Sequence, residues 1–281
     1  LRGMIAARDV VRGDGGWRWR RAEDGAESPA LPEPPQGGAD NGAPLPDRIA
    51  RLPPDLLEVC EACAIFGSSF WFGGALSVLR GARREQTTDS MTDRDRARLK
   101  ASMMQMQSIE LIVFVENSNM SRELEFAFEH ANDAARIVAR MSEERRQLYA
   151  RLAAQWRNCR PRRDPIADNE RIAELYQLGG RHRLAAGLFL EAGHAARNVG
   201  QTQRAVSLYE AGSAISDTDD ADLAADLRTA HGGALLRLSQ HDVAEPVLLE
   251  ALRMARCLED DVRCGIAQLR VAQVARVSGR Y

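Results

Sequence analysis

The sequence predicts a mainly α-helical chain in which a small helical domain with one β-hairpin precedes a run of helical hairpins. Three observations carry this. A stretch poor in large apolar residues, 22–47, interrupts a 281-residue chain whose overall composition, 44% hydrophobic and 28% charged, is that of ordinary globular protein. Residues 48–141 combine three helix-period stretches with two β-prone runs, and from residue 142 onward turn residues punctuate helices at a regular interval.

Taken in order, residues 1–21 read as the tail of a helix and then a hairpin, the end of a preceding domain. Val10-Val11-Arg12 and Trp17-Arg18-Trp19-Arg20 are β-prone, and Gly13-Asp14-Gly15-Gly16 between them tolerates positive φ. Residues 22–47 hold Pro29, Pro32, Pro34, Pro35, Pro44 and Pro46 with four glycines, the composition of a linker. Pro53-Pro54 suits the first turn of a helix running to about Phe66, where Gly67 and Ser68 break it. A second helix is expected from Phe70-Trp71-Phe72 to about Leu79, and a third from Arg94 to Gln107. Runs 110–116 and 122–128 are rich in β-formers and flank Asn117-Ser118-Asn119. Three helices followed by a hairpin give the order of a winged helix, so 48–141 is predicted to be a winged-helix-like domain.

A helix at 131–141 closes the winged-helix-like block, and the last block, 142–281, begins with a helix from Ser142 to about Asn158. Three turns then align: Gly180 with Ala185 and Phe189, Gly200 with Ala205 and Tyr209, Ser239 with Ala244 and Leu248. Gly279 begins a fourth. The steps from Gly200 to Ser239 and on to Gly279 are 39 and 40 residues, a helical-hairpin period somewhat longer than that of a tetratricopeptide (TPR) repeat. Alanine at a crossing lets two antiparallel helices approach, and the bulky residue four along fills the groove to the neighbouring hairpin. A TPR-like α-solenoid follows from that pattern. The end at Tyr281 falls inside a repeat, as expected of a fragment, and predicts an uncovered apolar face beyond about Asp261.

Charge and motifs exclude several functions. The formal charge of −2 gives no field that would draw the whole chain to nucleic acid or an anionic membrane. No apolar run approaches the length of a membrane span and no signal peptide opens the chain, so the expected location is the cytoplasm. Lys100, the only lysine, follows Leu99, so no phosphate-binding loop is present, and no dinucleotide, nucleophile-elbow, zinc-protease or kinase motif occurs. No catalytic residue, metal site or cofactor is expected in this segment. Cys60 and Cys63 form a lone C-x-x-C within an apolar helical stretch and read as core residues; Cys159, Cys257 and Cys264 read as free thiols. His182, His194, His231 and His241 recur without ligand spacing, and His130 reads as a half-buried residue between a strand and a helix. Arg80, Arg83, Arg84, Arg94, Arg96, Arg98 and Lys100 form a basic cluster, but Glu85, Asp89, Asp93 and Asp95 interleave with them, the pattern of a charge-mixed surface rather than a DNA face.

Several stretches together carry a resemblance: Arg51-Leu52-Pro53-Pro54, Ala64-Ile65-Phe66-Gly67-Ser68-Ser69-Phe70-Trp71-Phe72-Gly73-Gly74, Glu125 through Ala131, Arg145 through Tyr149, and Ile172 through Tyr176. They resemble the region downstream of the ATPase core in bacterial STAND-type signalling ATPases, in which a nucleotide switch precedes a winged helix and a TPR array. The same polypeptide often carries a serine/threonine kinase or adenylyl cyclase domain. The resemblance implies a non-catalytic regulatory and interaction segment, with ATP or ADP and Mg belonging only to the ATPase domain. It implies that His130 reaches the phosphates of ADP held by that domain, although Glu129 stands where the family has a basic residue. It further implies a protein partner on the concave face of the repeats, for which the helix phase offers Glu174, Gln177, Arg237, Gln273 and Arg276. The alternatives are a STAND-type transcriptional regulator, which would need Arg94, Arg96 and Lys100 on one DNA-facing side, and a cyclase-linked ATPase.

Overall fold

The computed structural model describes residues 10–13, 16–19, 52–86, 93–118, 120, 122–216 and 220–279. Among them the protein is mainly helical, with eleven α-helices, a three-stranded sheet and a separate two-stranded hairpin. The hairpin pairs β1 (Val10–Gly13) with β2 (Gly16–Trp19) antiparallel, Val10 opposite Trp19. The expected linker at 22–47 and the helix tail before Val10 lie outside the described residues. The described chain falls into two compact units divided between Trp156 and Arg157.

In the first unit α1 (Pro54–Ala64) starts on Pro53, whose carbonyl accepts from the amides of Leu56 and Leu57 at 2.9 Å. It ends before Gly67, held at φ 102°, a conformation that glycine adopts without steric cost. The next element departs from expectation. Ser69–Trp71 is a strand, β3, and α2 (Phe72–Gln86) begins only at Phe72. Aromatic residues suit a pleated surface, and here β5 supplies the partner: Phe70 lies opposite Phe126 and Trp71 opposite Glu125. After α3 (Asp93–Ser108), β4 (Ile112–Val115) pairs with β5 (Glu125–Phe128), giving sheet order β3-β5-β4. The aromatics seal this sheet. Phe70 stacks on Phe126 at 5.9 Å between centroids, and Phe114 meets Phe126 edge-on at 5.6 Å. The helix expected at 131–141 is α4 (Asp133–Arg140).

The helix α5 (Glu143–Asn158) starts as the sequence suggests, with Ser142 Oγ accepting from the Arg145 amide at 3.4 Å. It belongs mostly to the first unit, so the division falls later than the 141/142 junction expected from composition. Trp156 is the reason: its ring packs on Trp71 at 6.0 Å and edge-on to Phe66 at 5.7 Å. Two glycines of α2 clear the space. A Cβ at Gly74 would lie 2.8 Å from the Phe66 ring, and one at Gly81 would lie 2.4 Å from Leu152. Near the start of α5, Arg145 bonds the buried Glu61 at 2.7 Å. Cys60 and Cys63 are core residues as expected; the Cys60 Sγ sits 3.1 Å from the Met106 sulfur, and burial followed by Glu61 raises its pKa to about 12.

The second unit is α6 (Pro165–Leu178), α7 (His182–Asn198), α8 (Thr202–Ile215), α9 (Ala221–Arg237), α10 (His241–Cys257) and α11 (Asp261–Val277), each packed on the next. Asp164 caps α6, accepting from Ile166 and Ala167 at 3.0 and 3.2 Å, and Asp260 caps α11, accepting from Arg263 at 2.9 Å. Four connections share one device, a left-handed residue at Gly180, Gly200, Ser239 and Glu259. The following amide then bonds five residues back: Arg181 to Tyr176, Gln201 to Ala196, Gln240 to Leu235 and Asp260 to Ala255. Ala185, Ala205 and Ala244 are fully buried, as the crossing argument requires, and Phe189, Tyr209 and Leu248 are buried beside them.

Glycines receive two of those bulky residues. A Cβ at Gly193 would lie 2.3 Å from the Tyr209 ring, and one at Gly232 would lie 2.4 Å from Leu248. At the far end, α11 runs unbroken to Val277 but buries only Ala267 and Val274, leaving Val262, Ile266 and Leu269 exposed.

The glycines make a test with opposite signs within one helix. Gly193→Ala and Gly232→Ala are expected to destabilise the protein by about 1–3 kcal/mol through overpacking. At Gly187 and Gly265 an added Cβ meets nothing within 4 Å, so Gly187→Ala and Gly265→Ala are expected to stabilise it by about 0.5–1 kcal/mol. Urea midpoints of the four variants decide it, and a neutral Gly193→Ala would remove the seat of Tyr209 as a packing constraint.

Candidate functional site

Pairing α7 with α8 and α9 with α10 leaves α7, α9 and α11 to line one cavity of about 720 Å³. Its wall carries Arg197 from α7, Asp226, Thr229 and Arg237 from α9, and Ile266 and Arg270 from α11. Arg197 and Arg237 lie in the last turns of their helices, where a cation also complements the carbonyl end of the dipole. Arg270 is mid-helix, and its guanidinium lies over Gly233, where a Cβ would come 3.5 Å from Nε.

The charges of this wall are unevenly matched. Asp226 is held by Arg263, whose Nε and Nη2 each reach one carboxylate oxygen at 2.9 Å, while Nη1 reaches Asp260 at 2.5 Å. Among the described residues no carboxylate lies within ion-pair distance of Arg197, Arg237 or Arg270. Arg270 donates instead to the Gln273 amide oxygen at 3.2 Å. His194, also on the wall, places Nδ1 2.9 Å from the Tyr209 hydroxyl. Burial and then the Arg197 charge hold its pKa below the usual histidine value, so it adds no cation at neutral pH.

The residues expected from the sequence fall in different places. Arg237 lines the cavity, and Gln273 touches it through Arg270. Glu174 is exposed and paired with Arg171 at 2.6 Å; Gln177 and Arg276 are exposed, and none of the three lines the cavity. His130 is in the first unit, between β5 and α4; it is exposed rather than half-buried, with Glu129 exposed beside it. Arg197, Arg270, His194 and Asp226 were missed. The repeat pattern did not point to Arg197, which precedes Gly200 by three residues, whereas Arg237 precedes Ser239 by two.

In the first unit the basic cluster shared by α2 and α3 is partly engaged. Arg98 lies 2.9 Å from Asp55 and Arg83 lies 3.0 Å from Asp95. Among the described residues no helix is long and apolar enough to cross a membrane. Comparison with protein-family models, with curated proteins and with solved structures finds no match.

Two histidines, His231 buried and His194 half-buried, give the second unit a pH dependence. His231 is 8% exposed; its Nε2 lies 3.4 Å from Glu210, but burial outweighs that attraction and its pKa, like that of His194, is lowered. The unfolded chain therefore takes up these protons first, at about pH 6.5. The stability they confer is complete above that value and is lost as pH falls toward the depressed folded values. The urea midpoint is expected to drop between pH 7 and 5, and His194→Gln with His231→Gln should flatten that slope. Losses from Asp222, Glu250 and Asp260, whose pKa values are held down by backbone and arginine hydrogen bonds, begin only below about pH 4.5.

Proposed function

We propose that the chain is a non-catalytic regulatory and protein-interaction segment of a cytoplasmic signal-transduction ATPase of the STAND type, one that carries a serine/threonine kinase domain. The observation that carries the interaction reading is the cavity of α7, α9 and α11, which presents unpaired arginines among apolar side chains on a stack of helical hairpins. The recurrent left-handed turns and the 39-residue spacing of Gly193 and Gly232 support a TPR-like solenoid. The succession α1-β3-α2-α3-β4-β5 with sheet order β3-β5-β4 supports a winged helix in the first unit.

The parent ATPase rests on the resemblance of the stretches around Phe66–Gly74 and Glu125–Ala131. In this reading the winged helix docks on the nucleotide domain, which holds ATP or ADP with Mg, and His130 faces the phosphates. A partner in the groove shifts the switch between closed and open states. Engagement of Arg83 and Arg98 with carboxylates argues against α3 as a DNA face.

A photo-cross-linking residue at Thr229, inside the cavity, is expected to give a discrete protein adduct in cells making the complete protein, and one at the exposed Arg136 of α4 is expected to give none. Identical adduct patterns from both positions, or salt-sensitive duplex binding lost in Arg94→Gln with Arg96→Gln, would overturn the reading in favour of a non-specific surface or a DNA-binding regulator.

A further inference from the structure

We infer that the groove of α7, α9 and α11 takes an acidic peptide segment, its carboxylates on Arg197, Arg237 and Arg270 and an aliphatic side chain of the segment between them. This rests on the interaction reading above and gives the partner a chemistry. The first argument is charge. Three guanidinium groups from three different helices share one cavity, and the one carboxylate of the wall, Asp226, has both oxygens committed to Arg263. A planar guanidinium without a carboxylate partner, as here even at Arg270 with its bond to Gln273, offers parallel N–H donors matched to a carboxylate.

Arrangement narrows the ligand. The cations are interrupted by Leu190, Ala230 and Ile266, the last 47% exposed. A bare inorganic anion would leave that apolar surface in water, whereas a peptide with acidic and aliphatic residues covers both. A volume of about 720 Å³ suits a few residues of extended chain. No Phe, Tyr or Trp ring is on the wall, and the one imidazole there, His194, is engaged with the Tyr209 hydroxyl. The remaining polar groups, Asn198 and Thr229, can hydrogen-bond a peptide backbone.

The test is fluorescence anisotropy with the full chain at about 50 mM salt, using three labelled ten-residue peptides of Leu with Glu, with Gln or with Lys. The Glu peptide is expected to bind, the Gln peptide at least tenfold more weakly, and the Lys peptide not at all. Arg237→Gln with Arg270→Gln should weaken the Glu peptide at least tenfold while circular dichroism and the urea midpoint stay unchanged. Arg276→Gln, outside the cavity, should leave binding as it is. Equal binding of the Glu and Gln peptides, or a double variant that binds like the parent, would overturn the inference, as would no binding of the Glu peptide. A phosphoserine peptide and an oligo-dT of ten nucleotides complete the series. Arginine-dependent binding of either one alone would reject the acidic peptide. The Thr229 adduct would still report separately on whether the groove receives a protein.

Discussion

The second unit depends on one repeated contact, a bulky side chain of one helix seated on a glycine of the helix before it. Tyr209 sits on Gly193 and Leu248 on Gly232. Each pair is separated by the same number of residues, and the pairs stand one repeat apart. Close approach at these points is what brings α7 against α8 and α9 against α10. Any side chain at the glycine would push the helices apart by more than a core absorbs without strain. The pairing has a functional consequence. With α8 and α10 engaged behind them, α7, α9 and α11 are the helices left to form the cavity wall, and one arginine from each meets there.

The first unit solves a similar problem with different residues. Its sheet has only three strands, too few to bury an aromatic set on its own. Trp156 closes that set from α5, which can approach because α2 is bare at Gly74 and Gly81. The run Phe-Trp-Phe-Gly-Gly at 70–74 thus has a packing reason in which strand, helix start and glycine face are all used. Arg145 serves the same approach electrostatically, since Glu61 is almost fully buried and would be costly without a cation.

Much of this was legible from residue order. The pattern of turn residue, alanine and bulky apolar residue located α7, α8 and α10, and Pro54 and Ser142 marked two helix starts. What escaped had a non-local cause. Phe70-Trp71-Phe72 carries β-formers next to a helix-period stretch, and only the presence of β5, some 55 residues later, makes Ser69–Trp71 a strand. Glu259 escaped because glutamate is not a turn signal, yet it holds the same left-handed turn as Gly200, at φ 54°. Helix phase gave Arg237 its place on the wall. It did not separate Glu174 from the wall residues, because exposure on a helix does not say which neighbour that helix keeps.

The two basic sets of the protein make a contrast that sequence counts conceal. On α3 the arginines are interleaved with acids, and Arg98 lies beside Asp55 and Glu58 of α1, so much of that charge is spent in holding helices together. On the wall of the second unit the acid is spent and the arginines are not: Arg263 neutralises Asp226 from outside the cavity lining. Like charges gathered in one concavity repel each other and focus the field into it, which costs stability in the free protein. Folding alone gives no reason for that arrangement, since a leucine at position 270 would bury more apolar area and carry no charge. A basic hollow in a chain with a formal charge of −2 is therefore better understood from what it attracts than from what it holds together.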